Sequence, residues 1–322
     1  FYLKNRRAGY IVFTCISKQS GELSMDINQL THIFCQIDDF CNEFLKQIAK
    51  KWLPSNQTKQ KRGPACCLAD SEIMTILIAF QSSGYRHFKA FYCHFLRQYW
   101  LNAFPTLPSY NRFIELIPRV IVPLSIFAQL NSGKRTGIYY IDSSCLPTCH
   151  LKRSKRHKTF KYLAQYGKTS VAWFFGLKLH LVINDKGELM SFKITSGKQS
   201  DLKAGESLLS TLNGLAFGDK GYIGKKVAQT LLQKGLKLIT RTRKNMKAKP
   251  LSSLESQLLD QRNIVETVIG HLKLAYHIWH TRHRSVMNAM THLLAGLCAY
   301  TIKPLKISAI KSLTGNNTLS AS

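Results

Sequence analysis

The sequence predicts an α/β domain on a mixed five-stranded sheet, preceded by an all-helical N-terminal domain. Two observations carry this. Up to about residue 130, apolar residues recur every three or four positions, the helical period. From "RTGIYYIDSSCLPTC" onward, short apolar runs bounded by turn residues alternate with amphipathic helices. A third observation, the uneven distribution of charge, separates the same two halves.

The helical part opens with "DINQLTHIFCQIDDFCNEFLKQ", in which Leu30, Ile33, Phe34, Ile37, Phe40 and Phe44 form one apolar stripe. "KKWLPSNQTKQKRGPA" reads as a polar, basic linker. Asp70 is placed to cap "SEIMTILIAFQSSG", and "YRHFKAFYCHFLRQYW" follows as an aromatic-rich helix. After the turn "FPTLPS", Ser109 caps "YNRFIEL". Short helices broken by tight turns predict a helix-turn-helix-like DNA-binding domain over residues 25–130, with Tyr110, Asn111 and Arg112 opening a reading helix. The competing reading is a helical bundle whose aromatics are core.

In the second half, residues 138–141 read as a strand ending in Asp142. A basic loop follows, with seven Lys or Arg and no acid in residues 151–170. "VAWFFGLKLHLVINDKGELMSFKITSG" reads as two strands joined by a hairpin turn at 184–187. Then come a helix ("SDLKAGESLLSTLNG"), a short strand ending at Asp219, a helix ("KKVAQTLLQKG"), a fifth strand ("LKLITRTRK") and further helices from near residue 252. The α/β domain is expected over 136–300 and a flexible polar tail over 301–322.

The chain carries 46 Lys and Arg against 17 Asp and Glu, a net charge of +29 with a pI near 9.9. Such an excess predicts a polyanionic partner, nucleic acid first, because phosphate neutralisation rewards clustered cations. Residues 131–322 hold 31 basic and nine acidic side chains, against 15 and eight before them, so the polyanion belongs mainly to the second half. No basic amphipathic helix stands alone and no apolar run approaches the ~18–20 residues of a membrane span, so no membrane partner is expected. Nine irregularly spaced cysteines suit reduced thiols in a cytoplasmic protein. Cys145, Cys149 and His150 suggest three zinc ligands, but no second pair with finger spacing completes them. The opening segment has a basic start and a short apolar stretch without a small-residue cleavage site, and the first methionine is Met25. Residues 1–24 are therefore expected to be an upstream, non-native extension.

Two-metal phosphodiester chemistry needs carboxylates converging on cations about 3.5–4 Å apart in a basic surround. Of the nine acids in the second half, Asp185 and Glu188 belong to the hairpin turn, Asp201 looks like a helix cap, and Glu206, Glu255 and Asp260 suit helix surfaces. Asp142 and Asp219 differ. Each closes an apolar strand segment, and paired strands would bring the two carboxylates together; turn-forming aspartates are the alternative. Glu266 sits in "RNIVETVIGHLK". At about 100° per residue, Leu259, Arg262, Gly270 and Lys273 fall within about 40° of it, beside a docking stripe of Leu258, Val265, Ile269, Leu272 and Tyr276. An Arg262–Glu266 salt bridge would explain the same spacing.

"YYIDSS", "FGDKGY" and an Arg-x3-Glu-x6-Lys block, in this order, resemble the catalytic core of bacterial DDE insertion-sequence transposases. The third block is similar to the insertion-sequence 4 superfamily signature, with Leu259 where that signature has Tyr. "SEIMTILIAFQSSGYRHFKAFY", "SYNRFIEL", "WFFGLKLHLVIN" and "RNIVETVIGHLK" are similar to the insertion-sequence 982 family. The resemblance implies a ribonuclease H-like fold, with Asp142, Asp219 and Glu266 as the triad binding two Mg²⁺, for which Mn²⁺ substitutes. It also implies DNA contacts from Arg262 and Lys273, to which the surrounding basic residues Lys220, Arg153, Lys155, Arg156 and Arg112 are added. Cleavage at terminal inverted repeats and transfer of the 3′-OH strand into target double-stranded DNA would follow, by a homodimer in a synaptic complex on the bacterial nucleoid. A ribonuclease H-like nuclease without strand transfer and an inactive DNA-binding derivative are the other function classes. Trp173, Phe174, Phe175 and Trp279 are either base-stacking groups or core.

Overall fold

The computed structural model describes residues 2–5, 9–12, 26–47, 68–169, 171–242, 245–246, 250–279 and 283–303. The linker at 50–65, and the tail from 304, lie outside them. The chain divides into two compact units, one of Phe1–Leu130, Ala275–Ile278 and Met287–Ile302, the other of Asn131–Leu274, Trp279–Val286 and Lys303–Ser322.

In the first unit, β1 (Tyr2–Asn5) pairs antiparallel with β2 (Gly9–Val12), inside the segment expected to be an upstream extension. Helix α1 (Ile27–Phe40) starts in a capping box between Asp26 and Gln29 and buries Leu30, Ile33 and Ile37 of the expected stripe. Helix α2 (Asp70–Ser82) is capped differently from expectation. Ala69 holds the cap position, Glu72 Oε2 accepts from its N–H at 2.7 Å, and Asp70 instead pairs with Arg119 at 2.8 Å. Phe88, Phe91, Tyr92, Phe95, Trp100 and Phe113 pack ring against ring, so this helical region is built around an aromatic core.

Helix α3 (Tyr110–Leu116) continues through a 3₁₀ turn, Ile117–Val120, into α4 (Ile121–Leu130). Tyr110–Leu130 is long and apolar enough, by length and composition, to cross a membrane. The sequence pattern hid this because Asn111, Arg112, Glu115 and Arg119 interrupt the run. Phe113, Leu116, Ile117, Val120, Leu124 and Phe127 are buried in the unit's core, the behaviour of a core helix. The last helix, α9 (Val286–Ile302), returns to this unit: Asn288 Nδ2 donates to Ile114 O at 3.1 Å and Gln81 Nε2 to His292 O at 3.1 Å.

The second unit is a mixed α/β layer structure. Its strands are β3 (Ile138–Cys149), β4 (Gln165–Lys168), β5 (Trp173–Asn184), β6 (Leu189–Ser196), β7 (Gly214–Gly218) and β8 (Leu236–Thr240). They lie in the order β4-β5-β3-β7-β8, with β6 also on β5. The β5 pairings are antiparallel, whereas β3–β7 and β7–β8 are parallel. Six strands replace the expected five. The addition, β4, falls in the segment read as a basic loop, because Gln-Tyr-Gly-Lys has no apolar run. Gly167 is needed there: an added Cβ would lie 2.4 Å from Gly197 O. Strand β3 also runs seven residues past Asp142 instead of ending there, because β5 stays paired with it beyond Asp142.

Helices α5 (Asp201–Leu209), α6 (Lys225–Gln233), α7 (Ser253–Asp260) and α8 (Asn263–Leu274) complete the unit. Tyr139, Ile141, Val182, Leu209, Ala216 and Leu231 lie at the heart of its core. The C-terminal helix predicted through Glu266 is broken at Gln261–Arg262. There N–H groups bond three residues back, Arg262 to Leu259 and Val265 to Arg262, across the polar run Asp260-Gln261-Arg262-Asn263. Helix α8 docks on β3 and β5, burying Val265, Ile269 and Leu272 as the stripe predicts, with Ile264 and Val268 added.

Candidate active site

The parallel pair β3–β7 sets the site. Its last matched residues are Ile141 and Gly218, so Asp142 and Asp219 are the next residue on each of two neighbouring strands. Parallel register sets the two residues side by side at the end of β7, while β3 runs on past Asp142. Asp142 is partly buried and Asp219 exposed. Helix α8, lying over β3 and β5, brings Glu266 to the same place. The proximity registers in the Asp142 carboxyl, which is pushed up to about 6. Burial is the main cause, and Glu266 and Asp219 add to it; the Ser143 N–H at 2.7 Å and Arg262 oppose it.

Arg262 lies between the acids. Its side chain is 10% exposed; Nη2 donates to Glu266 Oε1 at 2.5 Å and Nη1 is 3.8 Å from Asp142 Oδ2. The salt bridge foreseen for Arg262 and Glu266 therefore forms, and it extends to Asp142. The Arg262 Nη1 nitrogen is buried without a hydrogen-bond partner. Among the described residues no three His, Cys, Asp or Glu are grouped closely enough to hold a metal ion, and this applies to Asp142, Asp219 and Glu266 as it does to Cys145, Cys149 and His150. The donor chemistry nevertheless fits a hard divalent cation. Asp142, Asp219 and Glu266 offer only carboxylate oxygens, the hard donors such a cation prefers.

Lys220, exposed, follows Asp219 directly and lines a cleft of about 600 Å³ with Ile223, Arg241 and Leu259. Lys273 stands over the Trp279 ring at 5.0 Å. Arg153, Lys155 and Arg156 are exposed on a 3₁₀ helix, Leu151–Arg156. Arg112 belongs to the first unit and pairs with Glu115 at 2.7 Å. The four aromatics divide: Phe174 and Phe175 are buried core, while Trp173 and Trp279 are exposed, 57% and 49%.

A second cluster was not foreseen. Ser200, not Asp201, occupies the cap position of α5. Asp201 Oδ1 accepts from Ser143 Oγ at 2.8 Å and Lys178 Nζ at 3.1 Å, and lies 3.7 Å from His180 Nδ1. His180 is fully buried, its other nitrogen sharing a 2.9 Å bond with Thr195 Oγ1, and burial drives its basicity down to about 4 against the pull of Asp201. The signal was present in "FGLKLHL", where Lys178 and His180 are polar residues two apart on one face of an apolar strand.

Residues 132–286 match the family model of the transposase DDE domain. That span nearly coincides with the second unit, and the match supports a DDE transposase. The mixed sheet with its helices, after a helical N-terminal region, is consistent with a ribonuclease H-like DDE domain. Domains of this kind generally use divalent metal ions and act on DNA. No curated protein and no solved structure matches the chain.

Proposed function

We infer that the protein is an insertion-sequence transposase that cleaves the ends of its element and joins the freed 3′-OH strand to target DNA. The observation that supports this is the β3–β7 register, in which Asp142 and Asp219 each follow the last matched pair, Ile141 and Gly218, while Arg262 links Asp142 to Glu266. Asp142, Asp219 and Glu266 are the residues that would hold two Mg²⁺, or Mn²⁺ in their place. Bound there, the cations would activate the attacking oxygen and offset charge on the phosphate. The chain's own part is to hold the three carboxylates in register and to bind DNA. Lys220, which follows Asp219, and Lys273, on the same helix as Glu266, would contact DNA, together with the exposed Arg153, Lys155 and Arg156. Cationic side chains near the scissile phosphate stabilise the charge that builds up during an in-line displacement. Synapsis of two ends calls for a homodimer, on bacterial DNA in the cytoplasm. The insertion-sequence 4 superfamily assignment rests on the spacing of Arg262, Glu266 and Lys273, and the insertion-sequence 982 assignment on the blocks "SEIMTILIAFQSSGYRHFKAFY", "SYNRFIEL", "WFFGLKLHLVIN" and "RNIVETVIGHLK".

The test uses duplex DNA carrying the inverted repeats that flank the gene. Wild-type protein should nick these ends with Mg²⁺ or Mn²⁺ and form joined products, while Asp219→Asn binds the same DNA without cutting. Cleavage without joined product would favour a nuclease. Binding with no metal-dependent nicking by wild type would make the chain an inactive derivative and overturn the reading.

A further inference from the structure

Asp201 is the acid that the catalytic reading leaves unused, yet its contacts reach Ser143, next to Asp142, and the turn after Asp219. Ser143 links it to Asp142: the Ser143 hydroxyl donates to Asp201 Oδ1 at 2.8 Å and its backbone N–H to Asp142 Oδ1 at 2.7 Å. On the other side Asp201 packs against the turn that follows Asp219, where an added Cβ at Gly221 would lie 3.2 Å from Asp201 Oδ2. Tyr222, 2% exposed in the same turn, lies within electrostatic reach of Asp142, Asp201 and Asp219. Lys178 holds Asp201 from below, bonding Oδ1 at 3.1 Å and the Gln199 carbonyl at 3.3 Å from a side chain 12% exposed.

We propose that Asp201 is a positioning residue that sets the direction of the Asp142 carboxylate through Ser143 and holds the turn after Asp219 in place. The inference rests on the reading of Asp142, Asp219 and Glu266 as metal carboxylates. A helix-surface acid would need none of these partners. A buried ion pair is a poor source of net stability, since desolvation offsets most of the attraction. The Lys178–Asp201 pair makes better sense as a fixed anchor: Lys178 Nζ and Ser143 Oγ both donate to Oδ1, which holds the carboxylate between them. Groups that orient a metal's carboxylates are worth about 10–100-fold in metal affinity or activity when removed.

The experiment measures Mn²⁺ binding by electron paramagnetic resonance and calorimetry on the full chain, beside thermal unfolding and nicking of end DNA. Wild type, Asp142→Asn, Asp201→Asn and Ser143→Ala are compared. Asp201→Asn should remain folded, bind DNA as wild type does, and weaken Mn²⁺ binding about 10–100-fold, with Ser143→Ala shifting it in the same direction. A structural role alone would lower the unfolding temperature and leave Mn²⁺ affinity where it was. If Asp142→Asn loses Mn²⁺ while Asp201→Asn and Ser143→Ala keep wild-type affinity, the proposal falls and the triad stands. If wild type itself binds no Mn²⁺, the triad reading falls and takes the proposal with it. Should Asp201→Asn fail to fold, Ser143→Ala, which leaves the Lys178 pair intact, decides in the same way.

Discussion

Two groups a few residues apart in the sheet titrate abnormally in opposite senses, and this makes the site testable without substrate. Asp142 is raised from 3.8 to about 6 and His180 is lowered from 6.5 to about 4, each chiefly by burial. For Asp142 the folded value lies above the unfolded one. Its contribution to stability is full below about pH 4 and is lost as pH rises through about 6. For His180 the folded value lies below, so its contribution is full above about pH 6.5 and is lost as pH falls through about 4. Each shift is about two units, and at 1.36 kcal/mol per unit each is worth at most about 3 kcal/mol. In the wild type the two nearly cancel across that window. Single variants uncover them. In EDTA, Asp142→Asn should exceed wild type by up to about 3 kcal/mol near neutral pH and lose that advantage near pH 4. For the unit carrying the sheet this is up to about 6–12 °C in unfolding temperature. The advantage of His180→Gln over wild type should instead grow as pH falls, on top of a constant packing loss. Calorimetric scans of the three proteins from about pH 4 to about pH 7.5 give both differences. Differences that are flat with pH, or that move in the same sense, would refute the burial argument for both groups.

Two further perturbations bear on the same architecture. Arg262→Met removes a buried cation bonded to Glu266 and facing Asp142; in EDTA it should cost about 1–2 kcal/mol, discounted because Glu266 is half exposed. An unchanged unfolding temperature would show that the guanidinium does not compensate the acids. Gly176→Ala puts a Cβ 2.2 Å from Leu146 O, where β3 and β5 pair. The strands would have to part, and a loss above about 3 kcal/mol, seen as insoluble or unstable protein, is expected; near-wild-type behaviour would argue against the register.

What could be seen in the sequence was local. An acid closing an apolar run is anomalous wherever it occurs, so Asp142 and Asp219 stood out before any partner was known. Helix α8 was legible because its apolar stripe has a helical period, and the Arg262–Glu266 bond follows from spacing of four. What escaped depends on distant pairing. Strand β4 has four residues, none aliphatic, and exists because β5 offers it an edge. The return of α9 to the first unit leaves no trace in its own pattern. Asp201 looked like an ordinary helix-start acid because its partners, Ser143 and Lys178, are 58 and 23 residues away. The break at Gln261–Arg262 was hidden because no Gly or Pro marks it, and polar residues in a row fit either a helix surface or a turn.

The placement of Arg262 constrains the order of events at the site. The Arg262 guanidinium, on a side chain 10% exposed, bonded to Glu266 and facing Asp142, is desolvated and committed to carboxylates. Drawing it out to meet a DNA phosphate while those acids remain uncompensated would leave like charges together beside a buried Asp142, the costly half of breaking a buried pair. A phosphate contact by Arg262 therefore requires that other positive charge first take its place between Asp142 and Glu266. Divalent cations on the triad would supply it, whereas DNA alone, being negative, would make the exchange harder. Lys220 lines the cleft and Lys273 stands over the Trp279 ring, neither of them ion-paired with these acids among the described residues, and they can meet the backbone earlier. The contacts would then form in order: lysines first, then cations on the carboxylates, and Arg262 on the phosphate last.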